Sequence, residues 1–399
     1  MNPILNPYSP GAGTPPPELA GRSELRERIR IAIARLRIGN PAKSILMVGL
    51  RGVGKTVLLD QMRMDAEGCG CYTLRVEAPE GRSLPAILAP QLRLTLLKLS
   101  RVEVAKSAAE RGLRALAGFA KALKFKFNDI EVGFDFDVEK GLADNGDLDG
   151  DLAALLEQVG SAAHHAASAV IMFIDEMQYL PEPQFAALIS ALHRCAQQKL
   201  PITVVGAGLP QLRGQAGRAK FYAERLFDYP EVGPLTSLDA AIAITKPAQD
   251  LKVTFTQDAV DAMIAHTQCY PYFIQEWGKH TWDVALSCPI TGHDVELATA
   301  LAIAALDEGF FKVRFDRCTP LEKKYLRAMA ELGPGPHRSG DIADALKRKV
   351  NALAPTRNQL IIKGMIWSPH HGDTAFTVPL FDGFMRRVIP DNSWCDASS

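Results

Sequence analysis

Nowhere in the 399 residues does an apolar run approach the length of a membrane-spanning helix. The first residues also lack the basic-plus-apolar leader of a secreted protein. Net charge is missing too: 45 basic residues balance 45 acidic ones, so composition points to no class of partner. Cysteine is sparse. Of the seven, Cys69-Gly70-Cys71 forms one close pair, with no second pair to complete a zinc site. Free thiols in a reducing compartment follow, and the expectation is a cytoplasmic protein with no membrane contact. Hydrophobic content of 47% is ordinary for globular chains, and the length allows two or three domains.

What is present is more specific. Gly49-Leu50-Arg51-Gly52-Val53-Gly54-Lys55-Thr56 fits the phosphate-binding pattern G-x-x-x-x-G-K-[ST] at every fixed position. Ser44-Ile45-Leu46-Met47-Val48 before it reads as a short buried strand, and Val57-Leu58-Leu59-Asp60-Gln61-Met62 after it reads as a helix. Glycines let the backbone curl until successive N–H groups face a phosphate, and the helix N-terminus adds its dipole. Gly49 to Val57 are therefore candidate nucleotide contacts. Lys55 is expected to reach the β- and γ-phosphates, and the Thr56 hydroxyl to ligate Mg²⁺.

Short apolar strands at 44–48, 71–76, 169–174 and 201–205 alternate with longer helical stretches, which predicts a parallel α/β sheet. Residues 1–17 carry six prolines and are expected to lie extended on a surface. Residues 93–151 interrupt the rhythm. Nine Lys/Arg face two Glu over 93–126, then nine Asp/Glu face one Lys over 127–151. Alternation in Lys124-Phe125-Lys126-Phe127 and in residues 132–138 predicts a basic helix followed by a two-stranded ribbon. This insertion is either a nucleic-acid or partner contact, or a solvated decoration whose halves neutralise each other. Asn145 to Gly150 mimic the start of a calcium loop, but Leu156 stands where a bidentate Glu is needed, so Asp151 is expected to cap a helix instead.

The second anchor is Val170-Ile171-Met172-Phe173-Ile174-Asp175-Glu176, an apolar strand ending in two acids at a ligand crevice. Asp175 is expected to hold the Mg²⁺ water shell and Glu176 to act as general base toward water. Paired with the phosphate loop, these acids predict a domain that binds and hydrolyses ATP.

With both motifs in place, the chain resembles the AAA+/STAND group of P-loop ATPases, particularly members related to archaeal and bacterial origin-recognition ATPases. The matching residues are Leu19-Ala20-Gly21-Arg22, Gly49 to Thr56, Phe173 to Gln178, Val205-Gly206-Ala207-Gly208-Leu209-Pro210, Arg225-Leu226-Phe227 and Pro234-Leu235. The resemblance implies adenine-side contacts at Gly21 and Arg22, and an arginine finger at Arg225 or Arg218. It also implies a polar γ-phosphate sensor at the end of the strand near 201–205, where the sequence offers only Thr203, earlier than the expected place. Gln268-Cys269-Tyr270-Pro271 resembles the Gly-x-Pro motif of STAND lids, with Cys269 replacing the glycine and Pro271 approaching the nucleotide.

The C-terminal third predicts helices at 320–332, about 339–346 and 354–363, then a hairpin through Met365-Ile366-Trp367 and Ala375-Phe376-Thr377-Val378. That order describes a winged helix-turn-helix. Eleven Lys/Arg against six Asp/Glu over 319–390, with Lys347, Arg348, Lys349 and Arg357 clustered, make duplex DNA a candidate partner. Asn358 and Gln359 are the obvious base readers. The expected architecture is an extended segment at 1–17, a P-loop core at 18–235 with its insertion, a helical lid at 236–316, a winged helix at 317–390 and a tail at 391–399. The expected function is an ATP-hydrolysing switch acting on DNA or a DNA-associated complex. The alternative is a STAND-type signalling or defence ATPase that recruits a protein partner, and ATP-dependent self-assembly is open to both.

Overall fold

The computed structural model describes residues 1–78, 82–123, 137–390 and Trp394. The chain divides into two compact units: Arg22–Gly49 with Lys55–Val232, and Met1–Gly21 with Leu50–Gly54 and Gly233–Ser399.

The first unit contains α1 (Ser23–Arg37), β1 (Ser44–Val48), α2 (Lys55–Gly68), β2 (Tyr72–Glu77), α3 (Leu84–Leu99), α4 (Lys106–Leu123) and α5 (Leu148–His165). It continues with β3 (Val170–Asp175), α6 (Glu182–Gln197), β4 (Ile202–Gly208), α7 (Leu212–Ala219), α8 (Ala223–Leu226) and β5 (Phe227–Asp228). The five strands pair in the order β2-β3-β4-β1-β5, all parallel. Every residue of β1, β3 and β4 is buried, as the unbroken apolar runs of central parallel strands require. β2 lies at an edge, and its buried residues Leu74 and Val76 alternate with less buried neighbours. Because all strands run one way, the residues that follow β1, β3 and β4 gather at one edge of the sheet, where α/β proteins place ligands.

Residues 106–123 differ from the solvated decoration weighed above. Ala109, Leu113, Leu116, Phe119 and Leu123 of α4 are at most 1% exposed and belong to the same core as β3 and β4. Gly112 lets α4 press on Leu96 of α3, where a Cβ would stand 2.6 Å from Cδ2. The basic residues occupy the other face, with Arg111 and Arg114 bonded to Glu139 at 3.2 and 3.3 Å. The expected ribbon lies mostly outside the described residues. The cap of α5 is Asp147, which accepts from Gly150 N–H, rather than Asp151. Asp151 is fully buried and accepts the backbone N–H groups of Asn145 and Gly146 at 3.0 and 2.8 Å, tying the loop down from inside the helix.

The second unit holds α9 (Ser237–Gln249), α10 (Gln257–Thr267), α11 (Pro271–Val284), α12 (Gly292–Leu306), a π-helical turn at Asp307–Phe311 and α13 (Lys312–Phe315). Then come α14 (Pro320–Glu331), β6 (His337–Arg338), α15 (Ser339–Ala345), α16 (Val350–Ile362), β7 (Ile366–Trp367), β8 (Asp373–Phe376) and α17 (Phe381–Val388). The short strands pair antiparallel in the order β6-β8-β7. The N-terminal segment packs into this unit. Tyr8 is 3% exposed beside Trp282 and Ile290, its hydroxyl donates to the Ile244 carbonyl, and its ring fills the space over Gly278. Thr319 and Glu322 form a capping box on α14, and Lys363 donates to Glu322 at 2.6 Å. Burial pushes the Glu322 carboxyl up, but Lys363 and the Thr319 N–H outweigh it, so its pKa sits below the usual carboxylate value.

Candidate nucleotide site at the C-terminal edge of the sheet

β1 ends at Val48, and the next residue turns into the phosphate loop. Gly49 N–H donates to the Gly208 carbonyl at 3.2 Å, pinning the loop's start to the end of β4. Gly52 and Gly54 adopt φ of +81° and +86°, which only glycine reaches without strain. The loop opens directly into α2, whose first residue is Lys55. Lys55 is 8% exposed, and its ammonium donates to the Gly49 carbonyl at 2.9 Å, so the cation turns back to the start of its own loop. Thr56 follows on the first turn, half-buried, with Val57 beside it.

Leu50–Gly54 pack with the second unit. Pro271 opens α11 and has no N–H, while the N–H of Tyr272 is one of the helix's unsatisfied first-turn donors. It goes to the Gly52 carbonyl at 3.2 Å. Arg51 N–H donates to the Thr377 carbonyl at 3.1 Å. Pro271 is thus brought to the phosphate loop. Cys269 stands at φ +59°, the left-handed conformation that glycine favours. Burial and the Glu276 carboxylate raise the pKa of the Tyr272 phenol, and burial likewise raises Glu276.

The two acids are held differently. Asp175 is 2% exposed. Its Oδ1 accepts Glu176 N–H at 2.9 Å and its Oδ2 accepts Arg75 Nη2 at 3.2 Å. Glu176 turns the chain at φ +50°, an uncommon conformation for a non-glycine residue. Its carboxylate accepts from the side-chain amide of Gln178, whose Oε1 in turn accepts Leu209 N–H at 3.1 Å. Gln178 therefore links the second acid to the backbone just past β4.

That link explains the Gly206-Ala207-Gly208 run where a polar sensor was expected. A Cβ on Gly206 would stand 2.2 Å from Met177 Sδ, and one on Gly208 would stand 2.7 Å from Gln178 Oε1. Thr203 does not serve instead. It lies at the opposite end of β4, in register with Ile171, is 5% exposed and bonds Ser44 Oγ at 3.0 Å. Sequence reasoning missed Arg75 and Gln178. An arginine between the apolar Leu74 and Val76 of a strand was the available signal for the first.

Among the described residues, no group of three or more His, Cys, Asp or Glu could hold a metal unaided. The Thr56 hydroxyl and the Asp175 carboxylate are hard oxygen donors, too few for a protein cage. They fit Mg²⁺, which keeps waters and is bound through one or two carboxylates together with nucleotide phosphates.

Residues 18–205 match the AAA ATPase domain family. Residues 308–385 match a domain of unknown function (DUF8462). The Walker-type ATPase PABY2304 of Pyrococcus abyssi is similar in fold at 16% identity, over 96% of this chain and 99% of that one, with a TM-score of 0.58. Aeropyrum pernix Orc1 in complex with DNA aligns at 14% identity over 93% of this chain and 94% of that one, with a TM-score of 0.47. The Thermotoga maritima RuvB Holliday junction branch migration motor aligns at 16% identity over 93% and 95%, with a TM-score of 0.45. No curated protein matches in sequence. Residues 18–205 of this chain thus carry a P-loop ATPase domain of the AAA class.

The remaining candidate residues of the ATPase are spread out. Gly21 (φ +67°) has no room for a side chain, since a Cβ would meet the Asp239 carboxylate at 2.7 Å. Arg22 occupies the N-cap of α1 without a side-chain capping bond. Arg218 reaches Glu182 at 3.9 Å with its side chain 64% exposed, a weak surface pair. Arg225 is exposed on α8 and makes no ion pair among the described residues. In the C-terminal module, Lys347, Lys349, Asn358 and Gln359 are exposed. Arg357 is committed elsewhere. It donates to Thr374 Oγ1 at 2.8 Å and to Ser368 Oγ and the Asp373 carbonyl at 2.9 Å, clamping α16 to the β7–β8 turn. No helix among the described residues is long and apolar enough to cross a membrane.

Proposed function

We propose that this ATPase couples Mg-ATP binding and hydrolysis to a conformational switch acting on duplex DNA or a DNA-associated complex in the cytoplasm. The observation that carries the hydrolytic half is the pair Asp175–Glu176, ending β3 at the same sheet edge as Gly49 and Lys55. Lys55 would leave the Gly49 carbonyl for phosphate oxygens, a stronger charge-assisted bond. Thr56 and Asp175 would hold Mg²⁺, which neutralises charge on the phosphates when bound. Glu176, oriented by Gln178, would take the proton of the attacking water. Gly21 and Arg22 would line the base side and Gly49 to Val57 the phosphate side, with Pro271 approaching the nucleotide. Arg225, exposed and in no ion pair among the described residues, is suited to stabilise transferring charge across a boundary with a second copy.

The DNA half rests on the helix order α14-α15-α16 with the β7–β8 hairpin, read as a winged helix, and on the exposed Lys347, Lys349, Asn358 and Gln359. One observation favours the second reading, a STAND-type switch that recruits a protein: Arg357 is tied into its own hairpin rather than presented to a phosphate. Free thiols at all six described cysteines support a reducing compartment. The deciding experiment measures ATPase rate with and without duplex DNA at several salt concentrations, with molecular mass in ATP and in ADP. Salt-dependent DNA stimulation supports the first reading. ATP turnover with no DNA binding at low salt moves the assignment to the second.

A further inference from the structure

We propose that Arg75 is the resident counter-ion of Asp175, a positioning residue whose fixed charge Mg²⁺ must bind against when nucleotide loads. The inference rests on the Mg-nucleotide reading of the site and concerns what sets its metal requirement.

Asp175 is a carboxylate with its side chain 4% exposed at the end of a fully buried strand. A buried ion without a partner is strongly destabilising, so some cation must neutralise it whenever the divalent metal is away. Arg75 meets that need from the neighbouring strand β2, with Nη2 at 3.2 Å from Asp175 Oδ2. The rest of the guanidinium is committed elsewhere: Nε donates to Asp60 Oδ1 on α2 at 2.9 Å, and Nη1 donates to the Val76 carbonyl at 2.8 Å. The planar fork is therefore held in place by groups other than Asp175. It stays beside the carboxylate when a second cation arrives, and like charges a few ångströms apart repel even where the site is partly screened.

Asp60 sets the strength of that repulsion. It draws the Arg75 charge away from Asp175 and is shared with Arg63, whose Nε lies 3.6 Å from the same oxygen. Asp60 and Asp175 thus compete for one guanidinium, and the balance between them tunes how much Mg²⁺ the site requires. Two substitutions then act in opposite directions. Arg75→Gln removes the competing charge and lowers the Mg²⁺ concentration needed for nucleotide binding. Asp60→Asn leaves the full guanidinium charge facing Asp175 and raises it.

The test titrates Mg²⁺ against binding of a slowly hydrolysed fluorescent ATP analogue by the full-length protein, and records thermal unfolding in EDTA without nucleotide. The expected result is a midpoint about three- to tenfold lower for Arg75→Gln and higher by a similar factor for Asp60→Asn, the size of one charge interaction in a partly screened site. Arg75→Lys keeps the charge and stays within about twofold of wild type. In EDTA, Arg75→Gln unfolds at a lower temperature than wild type, because Asp175 is left alone. Unchanged midpoints, or two midpoints moving the same way, would overturn the assignment, since a purely structural arginine alters stability without opposite metal shifts. Should Arg75→Gln fail to fold, Asp60→Asn alone decides by its direction. Wild-type protein that binds no analogue at any Mg²⁺ concentration defeats the nucleotide reading itself, a separate outcome.

Discussion

The two ends of strands β1 and β4 make a controlled comparison, because one pair of strands serves both. At the starting end, Ser44 and Thr203 bond each other 4% and 5% exposed, and Ser44 Oγ also accepts Val204 N–H at 3.4 Å. Polarity there is neutral and closed on itself. At the finishing end the strands carry glycine, and the polarity is ionic and supplied from outside them by Lys55, Arg75, Asp175, Glu176 and Gln178. A neutral pair inside a sheet satisfies hydrogen bonds and stops. Charged groups held by neighbours on other elements keep capacity for a ligand. The difference teaches that burial alone does not mark a site; the sign and the source of the polarity do.

The largest test of that contrast is Glu176→Gln against Thr203→Val. Turnover should fall by a factor of about 10² to 10⁴ in the first, the range for loss of a positioned base, while ATP is still bound. The second should keep wild-type turnover. Phosphate release and analogue binding, measured on both variants, check the pair, and full turnover in Glu176→Gln contradicts its role. A smaller effect is expected from Gly208→Ala. Its new Cβ would stand 2.7 Å from Gln178 Oε1 and 2.9 Å from Leu212 Cδ2. Overpacking of this kind costs about 1–3 kcal/mol and pushes Gln178 off Glu176, so turnover should drop more than ATP affinity. Urea unfolding together with separated kcat and KM tests it; a loss of stability with unchanged kcat would mean that Gln178 does not hold the acid in its working position.

The same contrast explains what could be read in advance. The phosphate loop and β3 are contiguous in the chain, and their chemistry depends on residues adjacent in sequence, so Gly49 to Thr56 and Asp175–Glu176 were legible. Arg75 acts on Asp175 from 100 residues away through parallel pairing of β2 with β3, and no local spacing encodes that. Gln178 belongs to a contiguous motif, but its linking role is not encoded there, because its partner Leu209 lies beyond another helix and strand. Helix α4 misled through its charge count. Of the nine basic residues over 93–126 only Lys106, Arg111, Arg114 and Lys121 lie on this helix, on one face, whereas the Ala, Leu and Phe positions of the other face place it in the core. β5, two residues long, carries no periodicity to detect.

The smallest predicted effect sharpens the comparison from its quiet end. Ser44→Ala and Thr203→Val each remove one partner of a buried hydroxyl pair and leave the other short of a hydrogen bond, at about 1–2 kcal/mol apiece. The double variant removes both polar groups together, so no hydroxyl is stranded, and its cost should fall below the sum of the singles by about 1 kcal/mol. ATP turnover should be unchanged in all three, because the pair lies at the opposite end of β4 from Gly208 and Gln178. Urea unfolding of the four proteins closes the cycle. Strict additivity would mean that the two hydroxyls do not depend on each other, and a loss of turnover in the double variant would place this end of the sheet in the ligand's chemistry after all.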